Sequence, residues 1–398
     1  MSHRRLLAHD AADPALVQPL LAAALAGTGP ALLPLPGGPE PARRALLAAL
    51  DPDQPLERDD IAVVVPTSGS TGTPKGALLT ADAVRASVRA THRRLDGPGR
   101  WVLALPVTHV AGLMVLARSL EAGTDPVVVD LTSGFRPGAF AAAVPERTSD
   151  PLYTSLVPTQ LGRLLDAGTD LDAFAAVLLG GGPAPPGLVA RARAQGVRVV
   201  TTYGMSETCG GCVYDGTPLD GVAVDLTTDG RVRIGGPVLC CGYRLRPDLT
   251  ALAFDPVGRL VTQDVGRIAA DGRLEVLGRA DDVVVTGGVN VPAALVESVL
   301  AGHPAVGAVA VVGVPDPRWG QRVVAVVAPA AHDAGPELAE LRRFAADRLP
   351  PAALPRQLVI VAQLPVLAPG KPDRRAVRGL VAADSPADPP AGSPRGGP

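Results

Sequence analysis

Aromatic residues are scarce, 3% of 398 positions, so the interior of this chain must be built from Ala, Val and Leu. An excess charge of either sign is also lacking. The 37 Lys and Arg nearly balance the 39 Asp and Glu, which leaves no broad basic field to draw nucleic acid or an anionic membrane. Any phosphate must be held by local sites. No uninterrupted apolar run approaches the ~20 residues of a membrane span, and the opening stretch MSHRRLLAHDAADPALVQP meets acids and prolines too early for a secretory signal. A cytoplasmic chain without a membrane span is expected. Cysteines number four, Cys209, Cys212, Cys240 and Cys241. A Cys-x-x-Cys pair followed by two more invites a zinc reading, but adjacent Cys240 and Cys241 would face opposite ways on a strand and could not easily converge on one tetrahedral ion. Ordinary reduced thiols are the expectation.

At this length two or three packed units are expected. Residues 61–204 alternate Val/Leu-rich runs (61–65, 101–105, 126–130, 152–157, 175–180, 197–203) with helix-like segments (81–95, 111–122, 158–167, 187–195). That alternation predicts βαβ units and a mostly parallel sheet, with ligands gathering at the carboxyl ends of the strands. From about 222 to 278, short runs split by Asp229-Gly230 and Asp271-Gly272 predict hairpins. Beyond 283, strands (305–314, 322–328, 357–361) mix with helices (293–301, 337–347) in a small α+β domain. The Pro/Gly/Ser-rich stretch 382–398 is expected to be a disordered tail.

The segment TSGSTGTPKG, residues 67–76, follows the run 61–65 and packs glycines, hydroxyls and one lysine into ten positions. Such a loop brings backbone N–H groups, hydroxyls and a cation against phosphate oxygens without bulk in the way. It is not a Walker loop, because Lys75 follows Pro74 and precedes Gly76 where that motif needs Gly-Lys-Ser/Thr. It resembles the phosphate loop of the adenylate-forming acyl/aryl-CoA ligase superfamily, whose members attack the α-phosphate of ATP with a carboxylate. Further motifs follow in the superfamily's order: PVTHVAG (106–112), VLLGGGP (177–183), TTYGMSET (201–208), TQDVGR (262–267), GRADDVVVTGGVNV (278–291) and LPVLAPGKPDRR (364–375).

The resemblance implies a fold and a set of roles. The fold is α/β: a large N-terminal adenylation domain over 1–279 with mostly parallel sheets and a β-rich subdomain at about 210–279, followed by a small mobile α+β domain over 280–381. Thr67, Ser68, Gly69, Ser70, Thr71, Gly72, Thr73 and Lys75 would hold the triphosphate of ATP. Gly181 and Gly182, after Gly180, would border adenine, Tyr203 would stack on it, and Gly204 would make the turn. Ser206 stands where the family has threonine and would meet the α-phosphate; Glu207 would help hold magnesium, an oxygen-seeking cation. Asp264 and Arg279 would bind the ribose, although Gln263 replaces the family's usual glycine beside that aspartate. Asp281 matches the hinge, Gly287 and Gly288 the loop that enters the CoA channel, and Lys371 the adenylation lysine. His109 and Ser155 would lie near the acid.

TSLVPTQLGRLL (154–165) and TGGVNV narrow the resemblance to the o-succinylbenzoate:CoA ligases. The short lead of 66 residues before the phosphate loop agrees with the compact versions of these enzymes. The implied reaction consumes ATP, Mg2+, CoA and o-succinylbenzoate, in the pathway to menaquinone. Another acid, or a carrier protein as acceptor, stays open, as does a homodimer. A regulatory nucleotide binder that has lost catalysis is disfavoured by the joint presence of Lys75, Glu207, Asp264 and Lys371.

Overall fold

The run Ile61–Val65 is apolar at every position because both faces of its strand are covered, and all five residues are fully buried. In the computed structural model this run opens β3 of a four-stranded sheet formed by β1 (Leu6–Asp10), β2 (Ala31–Leu35), β3 (Ile61–Ser68) and β4 (Pro74–Thr80), in that spatial order. Helices α1 (Pro14–Ala26) and α2 (Glu40–Leu50) lie along the chain before β3. Val63 and Val65 join one apolar cluster, Ile61 and Val64 another. A register shift between Ile61 and Val63 puts neighbours Ala62 and Val63 into the same cluster. The residues described are 4–37, 40–68, 74–145, 149–185, 187–330, 335–367 and 371–383, and they form two compact units, Met1–Val276 and Leu277–Pro398.

After α3 (Ala81–Arg94) the first unit builds a seven-stranded sheet. Its elements in chain order are β5 (Arg100–Leu103), α4 (Val110–Ala122), β6 (Val127–Val128), α5 (Pro137–Ala143), β7 (Leu152–Leu156), α6 (Pro158–Asp166), β8 (Phe174–Leu179), α7 (Leu188–Ala194), β9 (Val199–Met205), β10 (Gly210–Tyr214) and β11 (Thr217–Pro218). Strands β5 to β9 pair in parallel, in the spatial order β9-β8-β7-β5-β6. Their carboxyl ends therefore meet on one edge of the sheet. Strands β10 and β11 extend it as antiparallel neighbours of β9, so the segment from 210 to 218 belongs to this sheet. A separate antiparallel sheet is made by β12 (Ala223–Leu226), β13 (Arg231–Gly235), β14 (Leu260–Ile268) and β15 (Leu274–Arg279), with α8 (Pro247–Ala253) between the second and third.

The second unit carries β16 (Val283–Thr286), β17 (Val289–Pro292), α9 (Ala293–Leu300), β18 (Val306–Asp316), β19 (Gly320–Pro329), α10 (Leu338–Ala345), β20 (Gln357–Ile360), β21 (Val366–Leu367), β22 (Lys371–Pro372) and α11 (Arg374–Ala383). Gly287 and Gly288 make the two-residue turn between β16 and β17, both at positive φ (57° and 77°), the backbone that a tight type I′ hairpin demands. Arg374 holds α11 down through ion pairs with Asp282 and Glu297. Helix α11 runs through Ala383, so the first two residues of the expected tail are helical; 384–398 lie outside the described residues.

Candidate active site

The glycine-rich loop does not lead directly into a helix. It joins two antiparallel strands, with Thr67 opposite Lys75 and Ser68 opposite Pro74, so Lys75 stands at the start of β4. Helix α3 follows that strand, capped by Thr80, whose hydroxyl accepts from Ala83 N at 3.1 Å. Gly69, Ser70, Thr71, Gly72 and Thr73 lie outside the described residues, and of Ser68 only the backbone is described. Thr67 Oγ1 is buried and finds no partner among the described residues.

Two residues after Lys75 the chain is gripped from far away in sequence. Ala77 bridges Tyr243, Leu78 N donates to Gly242 O, and Arg244 N donates to Gly76 O. Arg244 is fully buried, and its guanidinium donates to the carbonyls of Leu50, Asp51, Gln54 and Pro55 and to Glu57, which fastens this segment under α2. Gly76 must be glycine: a Cβ there would come within 2.6 Å of Val64 Cγ1.

This tether delivers Tyr243 to Lys75. The ammonium lies 4.1 Å from the ring centroid and donates to the phenol oxygen at 3.0 Å. It also donates to Glu207 Oε1 at 3.1 Å, while the phenol donates to the same oxygen at 2.6 Å. Glu207 is 8% exposed and sits in the short 3-10 turn Ser206–Thr208. Thr208 holds that turn: Met205 N donates to its hydroxyl at 2.9 Å, and the hydroxyl donates to Gly210 O at 2.6 Å. Burial, then the nearby Glu207 carboxylate, raises the Tyr243 phenol far above its ordinary value, so it stays a neutral donor. Tyr243 is the residue that sequence reasoning missed. The available signal was scarcity: of four tyrosines in the chain, two stand in this region.

The other is Tyr203, whose hydroxyl donates to Asp264 Oδ2 at 2.8 Å. Burial and the same carboxylate hold this phenol protonated as well. Asp264 is placed by Thr262, whose hydroxyl accepts from Asp264 N at 3.0 Å. Gly204, on β9 between the two clusters, is required by a close approach, since a Cβ would stand 2.0 Å from Gly210 O on β10.

Gly180, Gly181 and Gly182 follow β8 at the same edge of the sheet, Gly181 at φ 83°. A Cβ on Gly180 would meet Thr202 Oγ1 at 2.3 Å. Ser155 is buried on β7. His109 is exposed at the N-cap position of α4 and does not cap it through its side chain. Ser206 is partly buried beside Glu207.

Five of the sequence-predicted positions, Arg279, Asp281, Gly287, Gly288 and Lys371, belong to the second unit. Arg279 makes a two-pronged pair with Asp281 at 2.8 and 2.9 Å, so the expected ribose ligand and hinge residue contact each other. Lys371 begins β22, paired with Leu367 on β21; its side chain is outside the described atoms. Among the cysteines, Cys209, Cys212 and Cys240 are buried, and burial pushes the Cys212 and Cys240 thiols up to about 12. They behave as inert core groups.

The arrangement can neutralise a triphosphate with Lys75, offer a carboxylate to a divalent cation through Glu207, and present Asp264 to sugar hydroxyls. The AMP-binding enzyme model matches residues 8–266, and the model of the AMP-binding enzyme C-terminal domain matches 295–371. A protein described as a probable 2-succinylbenzoate–CoA ligase of Mycobacterium tuberculosis is 46% identical over 370 residues, 91% of this chain and 94% of that protein. A feruloyl-CoA synthase of Amycolatopsis sp is 33% identical over 353 residues, 80% of this chain and 70% of that one. The o-succinylbenzoate CoA synthetase of Bacillus subtilis, solved with the acyl-adenylate OSB-AMP, superposes with a TM-score of 0.75 at 27% identity, covering 91% and 81% of the two chains. The same synthetase with ATP and a magnesium ion gives 0.72 at 29%, covering 82% and 72%. With both family models matched and a relative aligned along nearly its whole length, the chain belongs to the AMP-binding enzyme family.

Proposed function

We propose that this chain is an AMP-forming acid–thiol ligase that adenylates o-succinylbenzoate and transfers the acyl group to CoA. The observation that carries the chemistry is the buried contact of Lys75, Glu207 and Tyr243, which sets one cation and one carboxylate at the edge where parallel strands end. The near full-length relation to a 2-succinylbenzoate–CoA ligase supports the acid.

In the first step a carboxylate oxygen of the acid bonds to the α-phosphorus of ATP, and the bond to the bridging oxygen breaks to release pyrophosphate. Two anions meet and charge builds on the equatorial oxygens, so preorganised positive charge is what the site must supply. Lys75 supplies it from the start of β4. Glu207 fits a magnesium ion: in this structure both its hydrogen bonds fall on Oε1, one of them from an ammonium that stands in for a cation. Bound there, magnesium would add charge neutralisation on the phosphates. Asp264, held by Tyr203, would accept the ribose hydroxyls. His109 and Ser155 are proposed to face the acid, Gly181 and Gly182 the adenine, and Lys371 of the second unit to serve adenylation. Arg279 would reach the ribose after leaving Asp281. In the second step the CoA thiolate bonds to the acyl carbon and AMP leaves with the electron pair. Gly287 and Gly288 are proposed to border the thiol's path.

The test is a panel of acids with ATP, Mg2+ and CoA, following AMP. o-Succinylbenzoate should be consumed in preference to benzoate, octanoate and ferulate; a flat panel rejects the acid assignment. The feruloyl-CoA synthase relationship makes ferulate the informative competitor.

A further inference from the structure

At the opposite edge of the seven-stranded sheet, where β9 begins and β10 ends, lies a cavity of about 460 Å3. That volume falls in the range of roughly 300–1,000 Å3 typical of small-molecule sites. Four guanidiniums line it, Arg94, Arg193, Arg198 and Arg273, against one carboxylate, Asp215. We propose that this cavity binds a small organic polyanion, a molecule with two or more carboxylate or phosphate groups, at a site separate from the adenylation centre.

Three of the four arginines have a carboxylate partner, but each of these pairs is solvent-exposed. Asp215 Oδ1 already accepts from Thr201 N and Thr201 Oγ1, each at 2.9 Å, and meets Arg193 only at 3.5 Å. Arg198 pairs with Asp96 at 3.2 Å and Arg273 with Asp271 at 3.5 Å, but these are exposed pairs of the kind that contribute little and exchange readily. Arg94 spends its hydrogen bonds on the carbonyls of Tyr214, Thr217 and Pro218, which fixes the β10–β11 turn and leaves its charge facing the cavity wall.

The lining also describes the ligand. Planar guanidinium forks bind carboxylate and phosphate two-pronged, so separate arginines call for at least two anionic groups. Carboxylates and phosphates share this chemistry, and the two probes below separate them.

The experiment is isothermal titration of the full chain with benzene-1,3,5-tricarboxylate and with 2,3-bisphosphoglycerate, using benzoate as a monoanion control, each with and without saturating AMP. At least one polyanion should bind once per chain, benzoate should not, and AMP should not displace it. Arg198 and Arg273 side chains are 51% and 61% exposed, so Arg198→Glu/Arg273→Glu should fold. It should weaken polyanion binding at least about tenfold while AMP binding is unchanged. Arg198→Lys/Arg273→Lys, which keeps the charge but loses the planar fork, should weaken binding less than the Glu pair, and Arg198→Ala, which only shortens an exposed side chain, should lose part of the affinity. Absence of binding by both polyanions at millimolar concentration, displacement by AMP, or wild-type affinity in these charge-removing variants would overturn the proposal. AMP binding is read in the same titrations, so failure of the adenylation reading shows separately.

Discussion

Tyr243→Phe isolates one oxygen at the centre of the site. The ring and its 4.1 Å contact with Lys75 remain, and what is lost is the 2.6 Å donor to Glu207 and the 3.0 Å acceptor for Lys75. Hydrogen bonds to charged groups contribute about 1.5–3 kcal/mol each. The two lost here share one oxygen and one ion pair, so their effects overlap and the expected total is about 2–3 kcal/mol. Glu207 and Lys75 stay paired at 3.1 Å, which keeps the loss below that of a lone buried charge. For a unit of this size the melting temperature should fall by roughly 4–12 °C. Trp101 is fully buried in the first unit, so its fluorescence in a Trp319→Phe background reports that unit's unfolding. Tyr243→Ala, which also removes the ring beneath the ammonium, should cost more. If Tyr243→Phe unfolds within about 0.5 kcal/mol of the parent, the phenol oxygen's two hydrogen bonds contribute nothing in solution and the reasoning fails.

Lys371→Ala should abolish pyrophosphate release from ATP and acid while sparing thioester formation from supplied acyl-adenylate; equal loss of both half-reactions would remove Lys371 from adenylation. Gly204→Ala must force β9 and β10 apart, because its Cβ would sit 2.0 Å from Gly210 O, and a loss on the order of 3 kcal/mol is expected by denaturant titration, with an unchanged midpoint as the contrary result. His92 is buried near Arg118, and burial first, then that charge, lowers its imidazole from 6.5 to about 4. Its stabilising contribution is thus complete above pH 6.5 and lost as pH falls towards 4, by about 2 kcal/mol once partial solvent contact is allowed for. His92→Gln should flatten that stretch of the stability curve; parallel curves for parent and variant would contradict the assignment.

The parallel sheet was legible because its strands are buried on both faces and read as unbroken apolar runs. Phe174–Leu179 and Val199–Met205 lie within two residues of their predicted bounds. Less legible was β4: Pro74-Lys75-Gly76 carries no strand signal, and only pairing with β3 and with the distant Gly242–Arg244 segment makes it extended. The elements before residue 61 were not anticipated at all. The stretch 210–218 looked like the start of the β-rich region, yet its hydrogen bonds go to β9. Pairing partners are a property of the folded sheet, whereas strand tendency is local.

The same division runs through the site. The order and spacing of Gly, Ser, Thr and Lys in 67–76, with Tyr203, Glu207 and Asp264 further on, announced a nucleotide-handling chemistry, because bare backbone, hydroxyls and charges are what phosphates and ribose require. What the chain in one dimension could not announce was Tyr243. It lies 168 residues from Lys75 and owes its position to Arg244, a buried cation satisfied by four backbone carbonyls and Glu57. Chemical identity is written residue by residue. Which oxygen meets which ammonium is settled only when packing has closed those distances, and a buried charge tolerates few ways of doing so.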